Sequence, residues 1–245
     1  MENIKVTKTQ LITSIFFYGA NTLFFICSLY NLFYKVHTIN YLTNLSYYAN
    51  SIFLLICLFC DILLYMMNNS ENEKNYMLME EPNINNTNNN NYLFVERLNN
   101  WNRNKYGIIC NTFSFFVTVN FWILFLLGEE YIRISNSFNG RLRTIYLHLI
   151  ISILVIIDYF IAKRKHKFSW TYFTIILFIF ALYCILLIIN KYYFNNNIYA
   201  FMNGGLIFLF VYLVIAIFTL FICYLFNVYL IEYNRTSEDN RVKDD

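Results

Sequence analysis

Two ionisable side chains interrupt an otherwise hydrocarbon stretch, TIYLHLIISILVIIDYF over residues 144–160: His148 and Asp158. A third, Asp61, sits in an equally apolar run. A charge at the centre of a membrane helix costs about 2.5–3.5 kcal/mol on insertion scales, so all three are expected to face protein. What each can do differs. With a pKa near 6.5, an imidazole can be neutral at low cost and still exchange a proton, so His148 suits a base, a relay, a ligand or a hydrogen-bonded structural residue. The carboxylates read as structural, through helix–helix hydrogen bonds or a cationic partner. The helix between His148 and Asp158 rises about 15 Å, too far for one site. A partner for His148 has to come from another helix at the same depth.

The elements that must supply it follow from composition. The chain has 245 residues, 58% of them hydrophobic and 13% charged, with a single proline, Pro82. A soluble domain has no interior for that much apolar side chain, so the fold class is an all-α polytopic membrane protein. Spanning the hydrocarbon takes roughly 20 apolar residues. Segments near 11–34, 46–67, 107–127, 144–162, 169–190 and 201–231 meet this, giving six spans in a single transmembrane domain over 1–245. The runs are continuous rather than alternating, which makes them helices and not barrel strands. Residues 68–106, with NINNTNNNNY at their centre, are polar and asparagine-rich and read as a largely disordered loop. Residues 232–245 read as a polar tail.

Basic residues orient the spans. Of 18 Lys and Arg, only Lys35, Arg133, Arg141, Arg143 and Lys191 fall on one side of a six-span topology. The remainder, including the KRKHKF cluster from Lys163, share the other side with both termini. The positive-inside rule makes that side cytoplasmic. The cluster reads as a topology anchor. The mild net charge of +3 points to no nucleic-acid partner.

His148 then shares the non-cytoplasmic leaflet with Thr43, Ser46, Trp122, Tyr192, Tyr193 and Tyr199, several of which could supply a nucleophilic or orienting hydroxyl. His37 in the first outer loop is the rival base and reads as a solvated histidine. The pair Cys57 and Cys60 lies inside the second span and reads as packing, and no ligand spacing suggests a metal or other cofactor. Paired intramembrane histidines for haem are lacking. A proton-coupled transporter using Asp61 and Asp158 would want inverted repeats and broken helices, of which Gly204–Gly205 is the one hint.

Several segments resemble a known family. NYLTNLSYYANSIFLLICLFCDILLY (40–65), with Leu42-Thr43 and then Asp61, is similar to the second-helix region of the androgen-induced gene-one-like family of six-pass membrane proteins. FWILFLLGEEYI (121–132) resembles the end of that family's third helix. HLIISILVIIDYF resembles its fourth, with a carboxylate following the histidine, and NIYAFMN (197–203) resembles the signal before its last helix. Ile145 stands where the family usually carries a second histidine, and Ala200 where it carries proline. The resemblance covers most of the chain outside the asparagine-rich segment.

The resemblance implies a carboxylic ester hydrolase acting on fatty acid esters of hydroxy fatty acids, with Thr43 as nucleophile and His148 as general base. It implies no cofactor, a lipid ester and the bilayer as partners, and residence in the endoplasmic reticulum or plasma membrane. The alternative expectation is a non-enzymatic lipid-binding or regulatory membrane protein of the same fold.

Overall fold

A computed structural model describes residues 7–34, 42–77, 86–127, 148–149, 151–161, 166–193 and 205–244, and every element in it is helical. These are α1 (Lys8–Tyr34), α2 (Leu42–Met77), α3 (Asn86–Trp101), a π turn (Asn102–Tyr106), α4 (Gly107–Leu127), α5 (Ile151–Ile161), α6 (Trp170–Tyr193) and α7 (Gly205–Asp244). No strand occurs among the described residues. Backbone contacts group the chain into two compact units, Met1–Leu29 with Ser51–Gly107, and Tyr30–Asn50 with Ile108–Asp245.

In the first unit, Cys60, Leu64 and Val95 are buried, with Leu11, Ile56, Leu63, Met67, Tyr92 and Leu98 packed against them. Tyr92, Val95 and Leu98 recur at helical spacing, so α3 has an apolar stripe despite its asparagines. That stripe is why residues 86–106 form helix where a largely disordered loop was expected; α2, too, runs on to Met77. In the π turn the amide of Gly107 donates to the Asn102 carbonyl. A Cβ at Gly107 would come 2.7 Å from Phe53 Cε2, so any larger residue there would have to push that buried ring aside. Asn102 fastens the turn from the other side, its amide donating to the Phe53 carbonyl at 3.1 Å and to Cys57 Sγ at 3.3 Å.

The second unit holds the larger core, with Phe113, Phe116, Val155, Tyr159, Ile176, Phe180, Leu220 and Tyr224 buried together. Phe116 and Phe180 meet edge to face, their centroids 5.4 Å apart, which fixes the level of α6 against α4. Asparagine amides clamp α4 at two further places. Asn50 donates to the Cys110 carbonyl at 3.1 Å, and Asn227 of α7 donates to the Ile108 carbonyl and to Thr112 Oγ1, each at 2.9 Å. The start of α6 is held by Tyr224, whose hydroxyl donates to the Ser169 carbonyl and accepts its amide.

Among the described residues, four stretches are long and apolar enough to cross a membrane: Asn44–Asn69, Asn90–Leu124, Trp170–Tyr192 and Phe210–Tyr233. The second of these starts well before residue 107, where the sequence reading began its third span, because the helix continues back through the π turn into α3. Only 22% of the apolar window in α6 is buried, and Phe178, Leu182, Ile185 and Ile188 stand outward. Hydrocarbon on that scale needs an apolar medium around it.

Candidate functional site

Thr43 is the second residue of α2, and its side chain lies outside the described part of the structure, as does His37. The backbone beside it is anchored. The amide of Leu42, one of the first-turn donors with no acceptor inside its own helix, donates to the Tyr183 hydroxyl of α6 at 3.0 Å. Tyr183 is buried, and so are Asn44, Ser46 and Tyr47 over the next turn of α2. Asn50 donates to the carbonyl of Ser46 at 2.8 Å and to its hydroxyl at 3.4 Å.

His148 precedes α5 in a π-helical turn. Its ring stacks on Phe121 of α4, with centroids 3.8 Å apart and planes 14° from parallel. Nδ1 is buried and has no hydrogen-bond partner among the described residues. Further along the same seam, Ser152 of α5 shares a 2.7 Å hydrogen bond with Thr118 and donates weakly to the Ser114 carbonyl at 3.5 Å. Deeper still, Asn111 donates to the Tyr159 hydroxyl at 2.9 Å. The α4–α5 seam therefore carries uncharged hydroxyl, amide and phenol groups at several levels, and it runs antiparallel: 121 with 148, 118 with 152, 111 with 159.

These contacts allow levels to be compared within the second unit. From Asn50 back to Leu42 is about 12 Å of helix, which measured up α4 from Cys110 reaches Thr118. A second route agrees. Tyr183 lies about 4.5 Å beyond Phe180, and the same rise from Phe116 reaches Val119. The start of α2 thus comes level with Thr118 and Val119, within one helical turn of Phe121 and the imidazole stacked on it. Asp158 is buried on α5 near Tyr159, well below this level.

Asp61 has a different setting, in the first unit. Its Oδ2 accepts from Arg103 Nη2 at 2.7 Å and from Ser14 Oγ at 2.6 Å, and its Oδ1 accepts from Asn99 at 3.4 Å. Arg103 Nε donates to Asn99 Oδ1 at 2.9 Å, which closes the network. Both charged side chains are nearly enclosed, at 11% and 5% exposed. This is the cationic partner that the structural reading of Asp61 called for. Its source was not legible, because Arg103 falls in the segment read as disordered. The available signal was the spacing of Asn99, Asn102 and Arg103, which puts them on one helical face.

Sequence reasoning also missed Tyr183, Thr118 and Ser152. Each looks like ordinary span composition, and only the neighbouring helix gives it a role. Among the other outer-leaflet candidates, Tyr192 and Trp122 are exposed, and Tyr199 lies outside the described residues.

The architecture is that of an all-helical membrane protein, and its two polar centres are an ion-paired cluster and a neutral histidine seam. Compared with known proteins, the chain matches no family model, no curated protein and no solved structure.

Proposed function

We propose that this chain is a multi-pass intramembrane ester hydrolase, with Thr43 as nucleophile and His148 as general base. In this reading it has six spans with both termini cytoplasmic and resides in the endoplasmic reticulum or plasma membrane. Its substrates are lipid esters, with fatty acid esters of hydroxy fatty acids as the class that the resemblance implies. The observation that supports the reading is a shared level: measured along α4, two independent sets of contacts put the start of α2 at a height about one helical turn from that of the His148 ring.

His148 takes the proton of the Thr43 hydroxyl as its oxygen attacks the ester carbonyl. The resulting tetrahedral oxyanion lies at the first turn of α2, where the helix dipole and amides favour negative charge. Collapse leaves an acyl-threonine, and the proton on His148 goes to the departing alcohol. Water, deprotonated by His148, then attacks the acyl carbonyl, releases the fatty acid and restores the Thr43 hydroxyl.

Purified protein in nanodiscs, assayed with a fluorophosphonate probe and a fatty acid ester of a hydroxy fatty acid, tests this. Thr43→Ala and His148→Ala are expected to lose labelling and turnover, and His37→Ala to keep both. The opposite pattern overturns the assignment. A folded wild type that neither labels nor turns over the ester favours a non-enzymatic lipid-binding protein.

A further inference from the structure

A histidine that acts as a base through one ring nitrogen needs the proton held on the other, and a partner that accepts it fixes both tautomer and ring orientation. Asp158, about 15 Å along the helix from His148, is not placed to do this. The seam offers a different candidate.

Phe121 and Thr118 are neighbours on one face of α4, three positions apart, with centres about 4.5 Å apart along the axis. His148 lies on the first and Ser152 on the second. The imidazole and the Ser152 hydroxyl are thus consecutive rungs of one seam. Ser152 is buried, and Thr118 pins its oxygen at 2.7 Å. A hydroxyl has one proton to give and two lone pairs, so this pair keeps acceptor capacity after its own bond is made. Immediately beside it, Nδ1 of His148 is buried without a hydrogen-bond partner among the described residues. An unmet buried donor is costly in an apolar interior, about 1–3 kcal/mol, and the adjacent acceptor is the economical way to meet it.

We propose that Ser152, held by Thr118, is the positioning residue for His148: Nδ1–H donates to Ser152 Oγ, which leaves the Nε2 lone pair as the base. Closing this bond takes a rotation of the ring on the face of Phe121, and stacking on that ring tolerates it. The pair is uncharged, as suits an apolar seam in which a buried carboxylate would itself need a partner. The catalytic part of this role rests on the hydrolase reading; the hydrogen bond and the tautomer do not.

Nitrogen-15 NMR of histidine-labelled full-length protein in nanodiscs measures the tautomer directly. The chain has only 3 histidines, so His148→Gln assigns the resonance. The wild type is expected in the Nδ1–H form. Ser152→Ala should move the signals toward the Nε2–H form and lower kcat on the lipid ester roughly 10–100-fold with little change in KM, in line with the loss of a general-base contribution. Thr118→Val should shift both in the same direction by less, and Thr118→Ser should restore them. A wild type already in the Nε2–H form, or Ser152→Ala signals identical to wild type, overturns the proposal. If the tautomer responds as expected while Thr43→Ala has wild-type turnover, the positioning bond stands and the Thr43 hydrolase reading is the part that fails.

Discussion

The two polar centres of this protein meet the same apolar surroundings in opposite ways. In the first unit, Asp61 and Arg103 carry full charges, and Ser14 and Asn99 fill in around them. In the second, the α4–α5 seam is built from hydroxyls, an amide, a phenol and an imidazole that can be neutral. A charged pair in low dielectric is stable only when every group is matched, which leaves nothing over for a substrate. A seam of uncharged groups needs no buried counter-ion, and this one holds the residue type best suited to move a proton. Full charge pairing marks a clasp; an imidazole among uncharged groups marks a candidate site.

Breaking the clasp is expected to have the largest effect. Arg103→Met leaves a buried carboxylate without its cation and should cost about 3–5 kcal/mol in a denaturant titration in detergent. The double variant Asp61→Leu, Arg103→Met should recover most of that loss, since it removes both desolvation penalties. If the single variant is as stable as wild type, the pair is not a clasp.

Gly107→Ala tests the seat of the π turn next to it. The new Cβ meets the Phe53 ring at 2.7 Å, so a loss of about 1–3 kcal/mol is expected, as for other overpacking changes. Combining it with Phe53→Leu should relieve the clash, and thermal unfolding of the two variants side by side checks this.

The neutral seam should behave differently. Thr118→Val with Ser152→Ala removes both partners of one hydrogen bond and with them the proposed acceptor of His148, and the loss of stability should stay near the low end of about 1–3 kcal/mol. A loss as large as that of Arg103→Met would make the seam a structural clasp as well and erase the contrast between the units.

The smallest effect concerns His166, ahead of α6. Burial against Tyr172, whose ring centroid lies 4.8 Å away, lowers its pKa below the ordinary 6.5. The unfolded chain therefore takes up this proton first. Stability from the neutral ring is fully present above pH 6.5 and declines as the pH falls through that value. In unfolding midpoints measured between pH 7.5 and 5, His166→Gln should show a slightly shallower acid-side decline than wild type.

Much of the helical layout was legible. The segment expected at 107–127 coincides with α4, that at 46–67 lies inside α2, and that at 169–190 begins one residue before α6 and otherwise lies inside it. Continuous hydrocarbon leaves the backbone no partner but itself, so these spans follow from local physics. The asparagine-rich segment misled for a related reason. Its polarity is an average over the helix, whereas its folding depends on the one stripe formed by Tyr92, Val95 and Leu98 and on the buried face with Asn99, Asn102 and Arg103. For the candidate site, His148 stood out by residue type, while Thr43 was one of several hydroxyls until the resemblance singled it out. Tyr183, Thr118 and Ser152 did not, because one hydroxyl on an apolar helix is indistinguishable from another until its neighbour is known.

By itself, then, the sequence determined that this chain is helical and built for an apolar medium, since hydrophobic length and backbone hydrogen bonding are properties of each segment alone. It also determined that buried ionisable groups would be few and in need of company. Only the tertiary structure decided who the company is. It matched Asp61 with an arginine from a segment that looked unstructured, and it brought His148 to a phenylalanine face beside a pinned serine. Those pairings depend on the level at which one helix meets another, which is set by interlocking side chains such as Phe116 with Phe180 and Asn50 with Cys110, and a single segment carries no record of it.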